Sequence, residues 1–278
     1  MEEPAPALRR LRARNLRLVV DPAFQEDAQR LGLLEPGGAE RLFARHAHGA
    51  EGRAPTALVP LPSGNGRLVL RRLRHGGLLA PLLRSVFLGL GRPLREVEVT
   101  AALRRAGAPV PRPALAVGWR RAGPLWSAAV GTVYEEGTRD ALAFLQARPG
   151  PERVLRACRA AGRAVREFHD AGGRHGDLHV KNLLVRERGR DVAVLVIDLD
   201  KARFTPGLTP EERMAQVMRL FRSLLKRGVL GDVGPRGCAR FLGAYCKDDR
   251  ALRRAMWRQL DRELRVVALH AWRYGQGG

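Results

Sequence analysis

The octapeptide HGDLHVKN, residues 175–182, decides how this sequence folds and which chemistry it can carry. Within it Asp177 precedes Asn182 by five positions, and the apolar run VAVLVI, residues 192–197, is followed directly by Asp198. Phosphoryl transfer needs a carboxylate that orients the attacking hydroxyl and accepts its proton, and oxygen ligands for the Mg²⁺ that neutralises the triphosphate. The pattern predicts Asp177 as the catalytic base and Asn182 and Asp198 as Mg²⁺ ligands. The alternative is a polar loop with ordinary helix caps and a turn.

The elements predicted around the octapeptide favour the phosphoryl-transfer interpretation. Apolar residues recur at helical spacing over residues 151–170, and a pair of glycines then ends the helix. Residues 183–185 and 192–197 are typical of two strands joined by a short charged turn. Helix, Asp-containing loop, hairpin and terminal Asp form a specific ordered set. His175 is predicted to brace the loop through hydrogen bonds rather than to react.

The first half of the chain is predicted to be largely strand. The runs TALVPLP, residues 56–62, and RLVLRRL, residues 67–73, flank the tetrapeptide SGNG. Asn-Gly between two apolar runs is a strong hairpin signal, so we interpret SGNG as a turn rather than a phosphate cradle. The better phosphate-loop candidate is HGAEGR, residues 48–53, because Gly49 and Gly52 would let backbone N–H groups approach a nucleotide.

A shift from strand to helix divides the chain into two parts. Residues 95–107 are predicted to form the main helix of the first half, beside strands near 115–119 and 125–132. In the second half, TPEE at residues 209–212 predicts a helix start with a capping box. The predicted domains are, in chain order, an N-terminal extension over 1–45, an N-lobe over 46–137 and a C-lobe over 138–278.

Composition narrows the class of protein. The 278 residues carry a formal net charge of +22, which attracts phosphate polyanions. No helix-turn-helix, zinc-finger or RNA-recognition signature accompanies that charge, so a nucleic-acid-binding module is the less favoured alternative. Three scattered cysteines are predicted to be ordinary thiols of a reducing compartment. The chain lacks a signal-peptide pattern and a long apolar run, so we expect a cytoplasmic protein.

The octapeptide and the IDLD that follows it resemble the kinase-like phosphotransferases, the superfamily of protein kinases, aminoglycoside and choline phosphotransferases and lipopolysaccharide core kinases. Four further stretches resemble the bacterial 3-deoxy-D-manno-octulosonic acid (Kdo) kinases within it, so that the resemblance covers roughly residues 45–230. These stretches are LRRLRHGGLL (70–79), GAPVPRP (107–113), VIDLDKAR (196–203) and MRLFRSLLK (218–226). The resemblance implies an α+β, two-lobed protein-kinase-like fold, with an antiparallel sheet and one main helix in the N-lobe and a mainly helical C-lobe.

The resemblance also implies an activity and its cofactors. The activity would be ATP- and Mg²⁺-dependent phosphorylation of a sugar hydroxyl, on Kdo of the lipopolysaccharide inner core. Asp177 would act as the base, Asn182 and Asp198 would hold Mg²⁺, and the glycines of residues 48–53 would lie near the phosphates. Protein kinases place a Lys on the third strand, but the first lysine of this chain is Lys181.

Arg71 is the stand-in for that lysine, with Glu96 as its predicted ion-pair partner and Glu98 as the second choice. Arg can hold phosphate through two hydrogen bonds but is bulkier than Lys and not equivalent to it. A catalytically silent pseudokinase is therefore a further alternative.

Three positions in or near the octapeptide keep other roles and acceptors open. His179 stands where Kdo kinases usually carry Asn, and HGDLH is the spelling of small-molecule phosphotransferases, so an aminoglycoside- or choline-type kinase or a protein kinase is the runner-up. Asp200 would contact a second metal or the substrate, or would pair with Arg203 as a loop carboxylate. Lys181 would reach the transferring phosphate or remain solvated.

The apolar insert at residues 78–90 has two interpretations. With the arginines that flank it, the insert could rest on an anionic membrane, at the inner face of the cytoplasmic membrane. The alternative is a helix packed on the N-lobe. The sequence makes no prediction of the oligomeric state.

Overall fold

The computed structural model describes residues 7–48, 56–73, 87–247 and 249–260. The chain divides into two compact units. The N-terminal unit comprises residues 1–105 and 111–136, and the C-terminal unit comprises residues 106–110 and 137–278.

The N-terminal unit is built on an eight-stranded antiparallel sheet. Its strand order is β1-β2-β7-β8-β5-β4-β3, and β6 also pairs with β8. The strands are β1 (Arg9–Ala13), β2 (Leu16–Val20), β3 (Ala47–His48), β4 (Thr56–Pro60), β5 (Arg67–Arg72), β6 (Phe87–Leu88), β7 (Pro113–Ala122) and β8 (Leu125–Val133). The helices are α1 (Gln25–Arg30), α2 (Gly38–His46) and α3 (Gly91–Arg105). Residues assigned above to an N-terminal extension thus supply two strands of this sheet.

The predicted hairpin over residues 56–73 is confirmed. Strands β4 and β5 pair in a register that runs from Thr56 opposite Arg71 to Pro60 opposite Arg67. The turn between them is held by the buried carboxylate of Asp27, which accepts hydrogen bonds from the backbone N–H and the hydroxyl of Ser63. SGNG therefore forms the turn of this hairpin.

Apolar clusters cover both faces of this sheet. One face carries α1 and α2 and a core that includes Leu18, Leu70 and Leu115. The other face carries α3, with Val97 packed against Ala116 and Trp126. Helix α3 begins four residues before the predicted start, because Pro93 is compatible with a first helical turn.

The C-terminal unit is mainly helical. Its helices are α4 (Ala141–Gln146), α5 (Pro151–Asp170), α6 (Pro210–Lys226) and α7 (Leu230–Cys246), followed by a helical segment over 250–260. Its strands are β9 (Thr138–Asp140), β10 (Gly173–Arg174), β11 (Leu183–Arg188), β12 (Asp191–Val196) and β13 (Arg203–Phe204). They form a three-stranded sheet, β12-β11-β9, and a two-stranded one, β10-β13.

The capping box and the hairpin that the sequence predicts in this unit are both present. Thr209 and Glu212 form the reciprocal capping box at the start of α6. Strands β11 and β12 pair as an antiparallel hairpin, with Leu183 opposite Val196. The three cysteines are free thiols. None of the helices in the described part of the chain combines the length and apolar character needed to cross a membrane. The fold is α+β, as predicted.

Candidate active site

The loop between β10 and β11 carries the predicted catalytic residues of the C-terminal unit. Asp177 is exposed, whereas Asn182 is buried at the end of a short 3-10 helix, Val180–Asn182. The Asn182 amide nitrogen, Nδ2, donates a hydrogen bond to the backbone carbonyl of Asp177 at 2.9 Å. This bond closes the loop on itself and orients the side chain of Asn182.

The segment that carries Asp198 is tied to the same loop. The backbone N–H of Ile197 donates to the carbonyl of Asn182 at 2.9 Å, and the carbonyl of Ile197 accepts from Nε2 of His175 at 3.0 Å. Asp198 is therefore anchored to the loop through the residue directly before it. Its own backbone has φ of +62°, in the left-handed region that non-glycine residues seldom adopt and that is often found at functional sites.

His175 forms hydrogen bonds within the loop and to Ile197. Besides its bond to Ile197, it accepts a hydrogen bond on Nδ1 from the backbone N–H of Asp177 at 3.0 Å. One ring nitrogen therefore donates and the other accepts, which is the pattern of a neutral imidazole. Burial lowers the pKa of His175 below its ordinary value, which favours that neutral form.

Helix α6 supports the loop from beneath through side chains that the sequence analysis did not single out. The Oε1 atom of the buried Gln216 accepts a hydrogen bond from the backbone N–H of His175 at 2.6 Å. About two helical turns further along the same face, the hydroxyl of Ser223 accepts a hydrogen bond from the backbone N–H of Val180 at 2.9 Å. Arg219 donates to the carbonyl of Gly176. Two polar residues seven positions apart in the apolar stripe of α6 are the signal that could have revealed this support.

The glycine of the HGD sequence is required by a close approach. A Cβ atom at Gly176 would lie 2.6 Å from Cβ of Lys201 and 2.7 Å from its carbonyl oxygen. Real Cβ contacts are longer than this, so a larger residue would push apart the loop and the segment that follows Asp198.

The predicted pair of Arg71 and Glu96 is present in the N-terminal unit. Nη2 of Arg71, on β5, lies 2.5 Å from the Glu96 carboxylate on α3. Glu96 is only 6% exposed and Arg71 27%, so the pair is largely shielded from solvent. Glu98, the second-choice partner, instead forms an ion pair with Arg10 of β1.

The structure describes only some of the remaining predicted site residues. Gly49 and Gly52 lie outside the described residues, as do residues 78–86 of the apolar insert. His179 is half-buried, and its Nδ1 atom has no hydrogen-bond partner in the described part of the chain. Lys181 and Asp200 are half-buried. Within the described ranges Arg203 forms no ion pair, so the loop pairing of Asp200 with Arg203 is not present.

The donor set is chemically suited to Mg²⁺. Mg²⁺ prefers oxygen ligands and keeps several waters, being held by one or two carboxylates together with substrate phosphates. The Nδ2 group of Asn182 donates its hydrogen bond within the loop, and the amide oxygen can serve as a metal ligand. Asp198 supplies a carboxylate. Among the described residues no group of three or more His, Cys, Asp and Glu side chains could hold a metal ion, so a denser all-protein metal site is not seen there.

Comparisons with known proteins place the chain beside sugar kinases. Residues 44–245 match the model of the lipopolysaccharide kinase (Kdo/WaaP) family. A 3-deoxy-D-manno-octulosonic acid kinase of Xylella fastidiosa is 31% identical over 240 residues, which cover 82% of this chain and 87% of that protein. The kinase of the same name from Vibrio parahaemolyticus is 30% identical over 186 residues, covering 65% and 74%.

A solved structure shares the fold. The structure titled "WaaP in complex with acyl carrier protein" superposes with a TM-score of 0.53 at 20% sequence identity. The superposition covers 88% of this chain and 98% of that one.

Proposed function

The chain belongs to the lipopolysaccharide kinase (Kdo/WaaP) family, and on that premise we propose that it transfers the γ-phosphoryl group of ATP to a hydroxyl of Kdo in the lipopolysaccharide inner core. The observation that carries this proposal is the hydrogen-bonded unit of Asp177, Asn182 and the Asp198 segment. The relatives named as Kdo kinases support the choice of acceptor. Their similarity extends over 82% of the chain in the longest of these matches.

In this mechanism Asp177 orients the acceptor hydroxyl and takes its proton. Its carboxylate is exposed, and its backbone N–H and carbonyl are held by His175 and Asn182. A base fixed at both backbone atoms is pre-positioned, which lowers the cost of aligning the hydroxyl for attack. His175 stays neutral and acts only through the position of Asp177.

We assign the other predicted site residues to binding of the cation and of the phosphates. Asn182 and Asp198 would ligate Mg²⁺, which when bound neutralises charge on the β- and γ-phosphates. Arg71, oriented by Glu96, would bind phosphate oxygens, and the backbone around Gly49 and Gly52 would cover them. Lys181 and Asp200 are further candidates for contact with the transferred group or the acceptor. Because little covalent chemistry is required of the protein, positioning and charge stabilisation would supply most of the catalysis.

The proposed partners follow from the acceptor. Kdo is part of a lipid-linked glycan, so we place the protein in the cytoplasm, at the inner face of the cytoplasmic membrane. Its charge of +22 favours contact with anionic lipids and anionic sugars. His179 supports one alternative function, that of a kinase that acts on an aminoglycoside or another small alcohol.

Radiolabelled ATP supplied with separate acceptors tests the proposal. We expect label on Kdo-containing lipid A precursors and none on aminoglycosides, choline or protein substrates. Asp177→Ala should lower the rate by at least about 100-fold, as loss of a general base does. Asp191→Ala, which removes an exposed carboxylate at the start of β12, should leave the rate unchanged. Transfer only to another acceptor, or full activity of Asp177→Ala with an unchanged melting temperature, would refute the assignment.

A further inference from the structure

A second concave site lies in the N-terminal unit, beside the β1–β2 hairpin and the first turn of α3. It is a cavity of about 300 Å³, with Arg10, Arg12, Arg17, Val19, Leu94 and Trp126 among its lining residues. None of these side chains takes part in the phosphoryl-transfer chemistry proposed above.

The cavity rim carries three arginines, only one of which forms an ion pair within the described residues. Arg12 and Arg17 are directly opposite each other on β1 and β2, so their side chains share one face of the sheet. Like charges at such a position destabilise a strand pair. Arg10 is paired with Glu98, but in the described part of the chain neither Arg12 nor Arg17 forms an ion pair. An anion bound at this rim would relieve the repulsion.

The interior of the cavity is apolar and aromatic. Trp126 is only 7% exposed and packs in the cluster that contains Val19, with Leu94 against it. The guanidinium groups of Arg17 and Arg120 each lie 5.4 Å from the centre of the Trp126 ring. Proteins that bind single-stranded nucleic acid stack bases on accessible aromatic faces, and this tryptophan is buried. The combination of a basic rim and an apolar interior instead suits an anion with an apolar body.

We propose that this cavity binds the headgroup of an anionic phospholipid. The phosphodiester would lie between Arg12 and Arg17, and the glycerol and first methylenes would contact Leu94. Juxtaposed basic residues and apolar surface are the features by which proteins recognise anionic membranes. The site would hold the N-terminal unit at a membrane surface, and it does not depend on the identity of the phosphoryl acceptor.

Vesicle sedimentation with the full chain tests the charge requirement. Wild-type protein should sediment with phosphatidylcholine vesicles that contain phosphatidylglycerol, and not with phosphatidylcholine alone. The double variant Arg12→Gln/Arg17→Gln should bind the anionic vesicles at least about tenfold more weakly. Its matched control, Arg188→Gln/Arg190→Gln, removes the same charge from the exposed β11–β12 turn. Equal losses in the two double variants would mean that net charge alone drives binding, and would overturn the proposal.

A neutral substitution tests the cavity itself. Gly91 lines the cavity, and an added Cβ there would meet no atom within 4 Å, so Gly91→Leu adds side-chain volume at the cavity wall without a backbone clash. Gly231, near the start of α7, is equally open, and Gly231→Leu is its control. We expect only Gly91→Leu to weaken vesicle binding, by about tenfold, with the melting temperature retained. Unchanged binding by Gly91→Leu would overturn the proposal.

Two competitors distinguish other sources of the anion. Inorganic phosphate and a single-stranded oligonucleotide are each added to the vesicle assay. We expect neither to displace the protein at concentrations where soluble short-chain phosphatidylglycerol does. Displacement by phosphate alone would identify a simple anion site. Tight oligonucleotide binding that Arg12→Gln/Arg17→Gln abolishes would identify a nucleic-acid surface, and either result would contradict a phospholipid site.

Discussion

The guanidinium of Arg71 lies 2.5 Å from the carboxylate of Glu96, on neighbouring elements of the N-terminal unit. In protein kinases a lysine occupies this strand position, and this chain places an arginine there. The side chain of Arg71 is 27% exposed and that of Glu96 is 6% exposed, so the carboxylate is the more buried partner. The pair thus fixes the direction of the guanidinium.

The first prediction concerns substitution of this pair. Arg71→Ala should destabilise the protein by about 2 kcal/mol, because it removes an ion-pair partner of the buried Glu96 carboxylate. It should also raise KM for ATP more than KM for the acceptor. Glu96→Gln should cost less stability, because it removes the buried charge along with the ion pair. Melting curves and steady-state kinetics measure both effects, and Arg67→Ala, which breaks the exposed pair with Glu136, is the control.

A stronger test is whether Lys can replace Arg71. Lysine offers a point charge without the planar fork of guanidinium, so Arg71→Lys should keep part of the activity and bind ATP less tightly than the wild type. If Arg71→Ala and the wild type had the same KM for ATP, Arg71 would not contact the nucleotide.

The second prediction concerns Asn182. Asn182→Leu keeps a similar volume but removes both the hydrogen bond to the Asp177 carbonyl and the amide oxygen. We expect kcat to fall by at least about 100-fold, as for a lost positioned catalytic group, and the Mg²⁺ concentration for half-maximal activity to rise. Titration of activity with Mg²⁺ measures the shift. Asn15→Leu, on an exposed turn, should leave both quantities unchanged.

The parts of this fold that the sequence predicted depend on residues close together in the chain. The SGNG turn, the capping box at Thr209 and the spacing of Asp177 and Asn182 are all encoded within a few positions. Contacts between segments that are distant in the chain could not be predicted from such local patterns. Gln216 supports His175 across 41 positions, and its polar side chain looks like an ordinary interruption of an apolar stripe. The strands at the N-terminus were missed for the same reason, because β2 pairs with β7, as in Leu16 opposite Trp119, far along the chain.

The third prediction concerns that distant support. Gln216→Leu leaves the backbone N–H of His175 buried without its acceptor, which should cost about 2 kcal/mol of stability. Because His175 positions Asp177, kcat should fall while KM for ATP changes little. Gln216→Glu keeps an acceptor oxygen and should restore most of kcat. Equal kcat values for the Leu and Glu variants would show that the hydrogen bond does not position the loop.

The fourth prediction concerns the pH dependence of stability. His169 is fully buried, with Nδ1 2.7 Å from the hydroxyl of Tyr245, and burial lowers its pKa to about 3. An unfolded histidine has a pKa near 6.5, so below about pH 6.5 the unfolded chain binds a proton that the native state does not. Stability therefore falls with decreasing pH, and His169 alone contributes a loss of about 2 kcal/mol between about pH 7 and about pH 5.

Urea unfolding at those two pH values measures this loss. His169→Gln cannot titrate in this range, so the difference in unfolding free energy between the two pH values should shrink by about 2 kcal/mol. Tyr245→Phe removes the hydrogen-bond partner but keeps the buried imidazole, so it should lower stability at both pH values and retain the wild-type difference. Burial is the main cause of the lowered pKa of His169, and the hydrogen bond to Tyr245 does not cause it. An unchanged difference in His169→Gln would mean that other groups, such as the paired carboxylates, account for the acid sensitivity.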